Sequence, residues 1–245
     1  MDKAGIGKKI EGDLALAVKT NKEVARLYGK AIDGVMTYDE AGRFASMLGE
    51  EIGGIIFNNL SDAFPTGVVV AEDIMELIPS ALRGEYSYVT RAIEAAQTTI
   101  NKKAKVGLKA IVPDFDIERA TGIAEEVAKA EALSAVQKTL PQMTENLSRH
   151  AVDRAIMDNM TAHNNLGLET TVIREYDDVG LHDGKEDCKF CLERAGTWTY
   201  KEAKANDVFR RHPGCECKIT YISKRSTQVQ TNWRQNMWEE VGQRR

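Results

Sequence analysis

Apolar residues recur at three- and four-residue steps along most of the first 165 positions, the spacing that lines one face of an α-helix. The cleanest run covers about 85–111. Val89, Ala92, Ile93, Ala96, Ile100, Ala104, Gly107, Leu108 and Ile111 share a face there, with Arg91, Glu94, Lys102, Lys103 and Lys109 largely elsewhere. A second run, about 116–140, continues the pattern through Ile117, Ala120, Ala124, Val127, Val136 and Leu140, with Asp114 or Asp116 placed to cap it. A third, about 142–165, carries Met143, Leu147, Ala151, Ile156, Met160 and His163. Thr37 and Glu40 have capping-box spacing and predict a helix reaching about Ala63. Ile10, Leu14, Ala17, Val24, Leu27 and Ala31 predict one long N-terminal helix over about 8–31. Pro65, Pro79, Pro113 and Pro141 are each expected to mark a helix boundary, because proline lacks an amide hydrogen and crowds the preceding turn. Five or six helices with short connections result. Gly49 and Gly53, four apart, predict a close helix contact or a kink.

The period changes near 169. Thr171, Val172, Ile173, Arg174 and Tyr176 read as a β-strand, and the Asp-Asp-Val-Gly and His-Asp-Gly stretches that follow supply turn chemistry. Short strands are also expected around 197–200 and 218–222, with an amphipathic helix over about 228–240. The predicted fold class is mainly α: a multi-helix body (1–168), a small zinc-stapled α+β module (169–225) and a short C-terminal tail (226–245).

Charge divides the chain at the same place. Residues 188–245 hold 12 Lys and Arg against 6 Asp and Glu, whereas the first 187 hold 21 against 31. All four cysteines and all three tryptophans lie at or beyond position 188. No apolar run approaches the ~20 residues that span a bilayer, and the N-terminus lacks the apolar core of a secretory signal, so a soluble cytosolic product is expected and no membrane partner. Gly5-Ile6-Gly7-Lys8-Lys9 has the wrong spacing for a phosphate loop.

The chemistry concentrates in Cys188-Lys-Phe-Cys191 and, twenty residues on, His212-Pro-Gly-Cys215-Glu-Cys217. A Cys-x-x-Cys loop presents two thiolates to one point, which is half of a tetrahedral zinc site. Cys215 and Cys217 would share a side of an extended strand, with His212 three residues away. Five donors thus compete for four positions. Cys188, Cys191, Cys215 and Cys217 are the favoured set, with His212 replacing one or supporting it from outside. A zinc ion would stabilise a segment too poor in large apolar residues to fold by burial alone. Disulfides are disfavoured by a reducing cytosol. A Cys–His nucleophile needs only one thiol, so four in paired spacing fit a closed structural site better. His150 and His163 read as interhelical hydrogen-bonding residues, and His182 as a turn residue.

These motifs resemble those of the minor head proteins of tailed bacteriophages, the Mu protein F-like head-morphogenesis family. The resemblance rests on Ile173-Arg174, Asp187-Cys188-x-x-Cys191, Ala195-Gly196-Thr197-Trp198-x-Tyr200 and Asp207-Val208-Phe209-Arg210-Arg211-His212-Pro213-x-Cys215-x-Cys217. Upstream, Gln97, Asn101, Ala104, the Gly107–Ala110 run, Pro113 and Arg119 extend it, so that it spans roughly 85–225. It implies a low-copy virion component of the head interior or portal vertex, present in the host cytoplasm during assembly. Such a protein would act in head morphogenesis, packaging or ejection, with the portal protein and other head proteins as partners. It implies no established reaction and no cofactor beyond the metal. The competing reading is a metal-dependent enzyme, a nuclease or transferase, delivered with the genome; the absence of water-activating carboxylates near the metal motif speaks against it. A zinc-module regulator of host transcription fits the charge split but not the large helical body.

The basic end suggests contact with phage genomic DNA through Arg210, Arg211, Lys218, Lys224 and Arg225, with Phe209 and Tyr221 available to stack on bases. A solvated or protein-binding surface is the competing reading of that cluster. Trp233, Met237 and Trp238 would form one apolar patch on a helix, suited to docking on a head protein or to packing on the chain itself.

Overall fold

The computed structural model describes residues 3–67, 69–176, 188–212, 215 and 217–225. Six long helices come first: α1 (Lys3–Thr20), α2 (Lys22–Ile32), α3 (Tyr38–Ala63), α4 (Ala71–Ala104), α5 (Ile117–Lys129) and α6 (Thr139–Asn165), with a short 3-10 turn at Leu133–Val136 before α6. Three strands and two short helices follow: β1 (Leu168–Glu175), α7 (Lys189–Leu192), β2 (Gly196–Thr199), α8 (Tyr200–Ala205) and β3 (Lys218–Arg225). The mainly helical architecture with a small β-containing end agrees with the sequence pattern.

Local chemistry explains where helices begin and break. Thr37 Oγ1 accepts the Glu40 amide, and the Glu40 carboxylate accepts the Thr37 amide, so the expected capping box opens α3. The expected N-terminal helix is instead divided. The Asn21 side chain accepts the amides of Glu23 and Val24, capping α2 as a new helix. Pro79 departs from expectation too: it lies inside α4 rather than at a boundary. The interrupted turn is carried by the apolar face of Ile74, Leu77, Ile78 and Leu82, whose burial outweighs one lost backbone bond. Pro141 sits in the first turn of α6, where an amide hydrogen is not needed.

The helical period over 85–111 also ends early, at a left-handed Lys105 (φ 55°). Beyond it the chain forms neither helix nor strand up to Asp116 and is held by two asparagines. Asn101 Nδ2 donates to the Leu108 carbonyl at 2.8 Å, and Asn159 both accepts the Ile111 amide (2.8 Å) and donates to its carbonyl (2.6 Å). The expected 116–140 helix stops at Lys129, and the Leu133 amide then bonds the Gly67 carbonyl.

α3 and α6 lie in backbone contact. A Cβ on Gly53 would stand 2.5 Å from the Pro141 Cα, and one on Gly49 would stand 2.7 Å from the Glu145 Cα. The expected close approach is therefore real. Against this helical layer rests an antiparallel sheet of order β2-β1-β3, with Val172 opposite both Trp198 and Tyr221. β1 buries Leu168, Thr170, Val172 and Arg174 on one face. Val172, Ile219 and Tyr221 belong to the same continuous hydrophobic core as the helices.

A buried polar network fastens sheet to helices. Tyr38 on α3 and Tyr221 on β3 both donate to Gln97 Oε1 on α4, at 2.8 and 2.9 Å. Gln97 Nε2 donates to Asn101 Oδ1 (2.7 Å), which also lies 2.7 Å from His163 Nε2 on α6. Asn101 Oδ1 can only accept, so His163 holds its proton on Nε2. No described helix is long and apolar enough to cross a membrane.

Candidate metal centre

Three parts of the chain converge at the free end of β1. Cys188 precedes the single turn of α7, and its carbonyl accepts the Cys191 amide at 2.9 Å, which turns both thiols toward one point. The Cys188 amide in turn donates to Tyr176 Oη (3.2 Å), just past β1. His212, Cys215 and Cys217 enter from the segment leading into β3, with the Cys215 amide donating to the His212 carbonyl at 3.2 Å.

All five expected donors meet here. Their ligand atoms form two groups, Cys188–Cys191–His212 and Cys191–Cys215–Cys217, each with every pair within 4.8 Å. Cys191 belongs to both. His212 Nε2 is 2.9 Å from Cys191 Sγ and 3.2 Å from Cys188 Sγ, while Cys191 and Cys215 Sγ are 3.7 Å apart. Cys191, Cys215 and Cys217 are buried; Cys188 is partly exposed, and all four carry free thiols. This cluster could hold a metal ion.

Buried cations surround the sulfurs. Arg174, 1% exposed, donates from Nη1 to the carbonyls of Val208 (2.6 Å) and Arg210 (2.8 Å), and its Nη2 faces Cys215 Sγ at 3.5 Å and Cys191 Sγ at 3.9 Å. Arg211 pairs with Asp153 of α6 through Nε and Nη2. It also donates to the Cys217 carbonyl (2.6 Å) and lies 3.8 Å from Cys215 Sγ. Arg149, paired with Glu145, donates to the same carbonyl at 2.8 Å. A hydrogen bond from Cys217, then the Arg211 and Arg174 charges, pull the Cys215 thiol well below its ordinary range despite burial. Burial pushes the Cys191 thiol up, and holding the hydrogen bond to Cys215 raises Cys217. Thiolate charge at this centre, carried foremost by Cys215, is thus met by positive charge on its inner side, which offsets part of the cost of burying an anion.

Arg149 and Asp153 escape a reading by motif, and Arg174, though part of the motif, is given no place beside the sulfurs by it. Arg174 had one signal, an arginine at an inward position of a β-branched strand. Nothing in local sequence ties Asp153 to Arg211, 58 residues away.

The proposed DNA-contacting residues do not form one patch. Arg210 is exposed. Arg211 is a correction: its charge is spent on Asp153 inside the protein, so it is not presented to phosphate. Tyr221 is likewise buried and bonded to Gln97, which removes it as a stacking platform; Phe209 packs partly against the core. Lys218 and Lys224 sit near opposite ends of β3, ~20 Å apart at ordinary strand rise, and lie opposite Glu175 and Glu169. Arg225 ends β3 opposite Leu168. Trp233, Met237 and Trp238, the 228–240 helix and His182 lie outside the described residues.

In comparisons with family models, curated proteins and solved structures, the chain matches none.

Proposed function

We propose that the protein is a low-copy head component of a tailed bacteriophage, positioned at the portal vertex, with a structural zinc ion as its cofactor and no catalytic role. One observation carries this reading. The residues that carry the family resemblance, scattered over more than a hundred positions, are those that meet in space. Arg174, Cys188, Cys191, His212, Cys215 and Cys217 gather at one centre, and Gln97 and Asn101 anchor the network that joins the sheet to the helices.

The donor chemistry supports zinc. Thiolates with an imidazole suit this ion, and a tetrahedral site with ~2.3 Å zinc–sulfur bonds spaces its sulfurs ~3.8 Å apart. Cys191 and Cys215 stand at 3.7 Å. Cys191 belongs to both three-donor groups, and the 2.9 and 3.2 Å approaches of His212 Nε2 to two of the sulfurs support a ligand role for it over an outer one. When bound, the ion supplies cross-linking between α7 and the approach to β3, while Arg174 and Arg211 balance the remaining negative charge. Five protein donors gathered around the centre exceed the four positions of a tetrahedral ion, which favours a structural over an enzymatic centre. Portal and head proteins are the proposed partners, with phage genomic DNA as a further contact.

Mass spectrometry of purified particles, with metal analysis of the isolated protein, tests this. The expected result is a few copies per particle and about one zinc per chain. Protein found only free in lysate would defeat the head assignment. Metal-dependent DNA cleavage abolished by Cys188→Ser would favour the enzymatic reading.

A further inference from the structure

A cleft of about 600 Å³ opens beside the metal centre, between α5 and α6 on one wall and residues 207–212 on the other. Its rim carries Arg119, Arg154, Arg210 and His150, and its floor includes the neutralised Arg211–Asp153 pair. Arg154 and Arg210 come from elements far apart in sequence, yet among the described residues neither has a carboxylate within ion-pair distance. Arg119 is held only by an exposed bond to Asp116 at 3.3 Å. Asp207 is the one other acid on the lining. Met157 and Phe209 add a short apolar wall, and Asn146 offers a neutral donor.

Cations that converge in a concave site, two of them with no carboxylate at ion-pair distance, create a field that a mobile anion can neutralise. Planar guanidinium groups match phosphate oxygens two at a time. His150 on the same lining is held below its ordinary range by burial first and then by Arg119, with Arg154 adding to the lowering and Asp153 and Asp116 opposing it. An imidazole kept neutral still offers one N–H donor. The apolar wall beside the arginines accommodates a flat ring rather than a bare ion.

We infer that this cleft binds the phosphate of a nucleotide, either free or within a nucleic-acid strand, through Arg154, Arg210 and Arg119, with Phe209 and Met157 against its base or sugar. The inference rests on the DNA-contact reading only for the choice of ligand; the convergence of arginines stands without it. It moves that contact from the β3 lysines to the α5–α6 face. It also places the ligand against His212, so that the metal shapes one wall of the cleft.

The test uses the full-length, metal-loaded protein with three probes: a fluorescein-labelled single-stranded oligonucleotide, a labelled duplex and free adenosine monophosphate. Arg154→Ala and Arg210→Ala should each weaken binding about tenfold and flatten the salt dependence by about one counterion. Arg154→Lys and Arg210→Lys should restore the salt dependence but only part of the affinity, and Lys224→Ala should change binding by less than about twofold. Unchanged metal content and circular dichroism establish that the variants fold. Tight binding of the monophosphate assigns a small nucleotide ligand; binding of a strand alone assigns DNA. Wild-type protein that binds none of the probes at low salt overturns the proposal, as does DNA binding indifferent to both arginines. Incorporation of the Arg154→Ala/Arg210→Ala variant into particles is scored separately, so the cleft can fail while the head assignment survives.

Discussion

Glu85 is 1% exposed on the face of α4 that meets α6, hydrogen-bonded to Ser148, with Oε1 lacking any partner. Burial pushes its carboxyl up to about 8 from an ordinary 4.5. Below the ordinary value both the folded and unfolded chains hold the proton, and Glu85 adds no pH dependence. Between there and about 8 the unfolded chain releases the proton while the folded chain keeps it. Stability therefore falls as pH rises through this window, by a ceiling of ~4–5 kcal/mol, and levels off above it. Glu85→Gln removes the ionisation at little change in shape. Urea denaturation at about pH 5 and about pH 8 should show the variant gaining on wild type by ~1–3 kcal/mol as pH rises. Parallel curves at both values would mean that Glu85 ionises freely in the fold.

At the scale of elements, the contact between α3 and α6 depends on two glycines and is tightest at Gly53. Gly53→Ala would drive a methyl into the Pro141 backbone and Thr144 Oγ1, at 2.5 Å from each, and neither atom ends a flexible side chain. The helices would have to part, at ~2–3 kcal/mol. Gly54, the next residue, has nothing within 4 Å of such a methyl, so Gly54→Ala should be neutral or stabilise by up to ~1 kcal/mol. Thermal melts of the two variants should thus shift in opposite directions; equal shifts would show that helix propensity, not the approach of backbones, governs both sites.

This pair also shows what local sequence can say about elements. Two glycines four apart announced a close contact, because only a missing Cβ permits one, and Thr37 with Glu40 announced the start of α3. Periodicity alone did not reveal that Asn21 ends one helix and begins another, or that Asn101 and Asn159 hold a non-helical strap over 106–116. Those outcomes depend on side-chain amides finding backbone partners, in the strap's case across tens of residues. Pro79 misled for the converse reason: the burial around it is tertiary and outweighs a local penalty. The five metal-ligating candidates were legible because paired spacing is itself chemistry. Their arginine surroundings were not, since Arg174 and Arg211 reach the sulfurs, and Arg149 the Cys217 carbonyl, only through the packing of β1 and the segment leading into β3 against α6.

For the whole molecule, the question is how far the metal centre supports the fold. The segment holding the cysteines is poor in apolar residues, which suggests that it collapses without metal. Yet β1 and β3 place Val172, Ile219 and Tyr221 in the helical core, and Tyr221 is tied through Gln97 to α3, α4 and α6. Those contacts do not involve the sulfurs. Stripping the metal with a strong chelator should therefore loosen α7 and the approach to β3 while leaving the helices and the β1–β3 pair in place. The tryptophan distribution provides a clean readout, because the helical body contains none and Trp198 donates to the Arg194 carbonyl just beyond the Cys188–Cys191 turn. Chelation should shift tryptophan fluorescence and speed amide exchange around 188–212, with little loss of helical circular dichroism and continued protection of α3, α4 and α6. A cooperative loss of the whole helical signal would show instead that the centre clamps the entire chain, and that the shared core cannot hold the sheet without it.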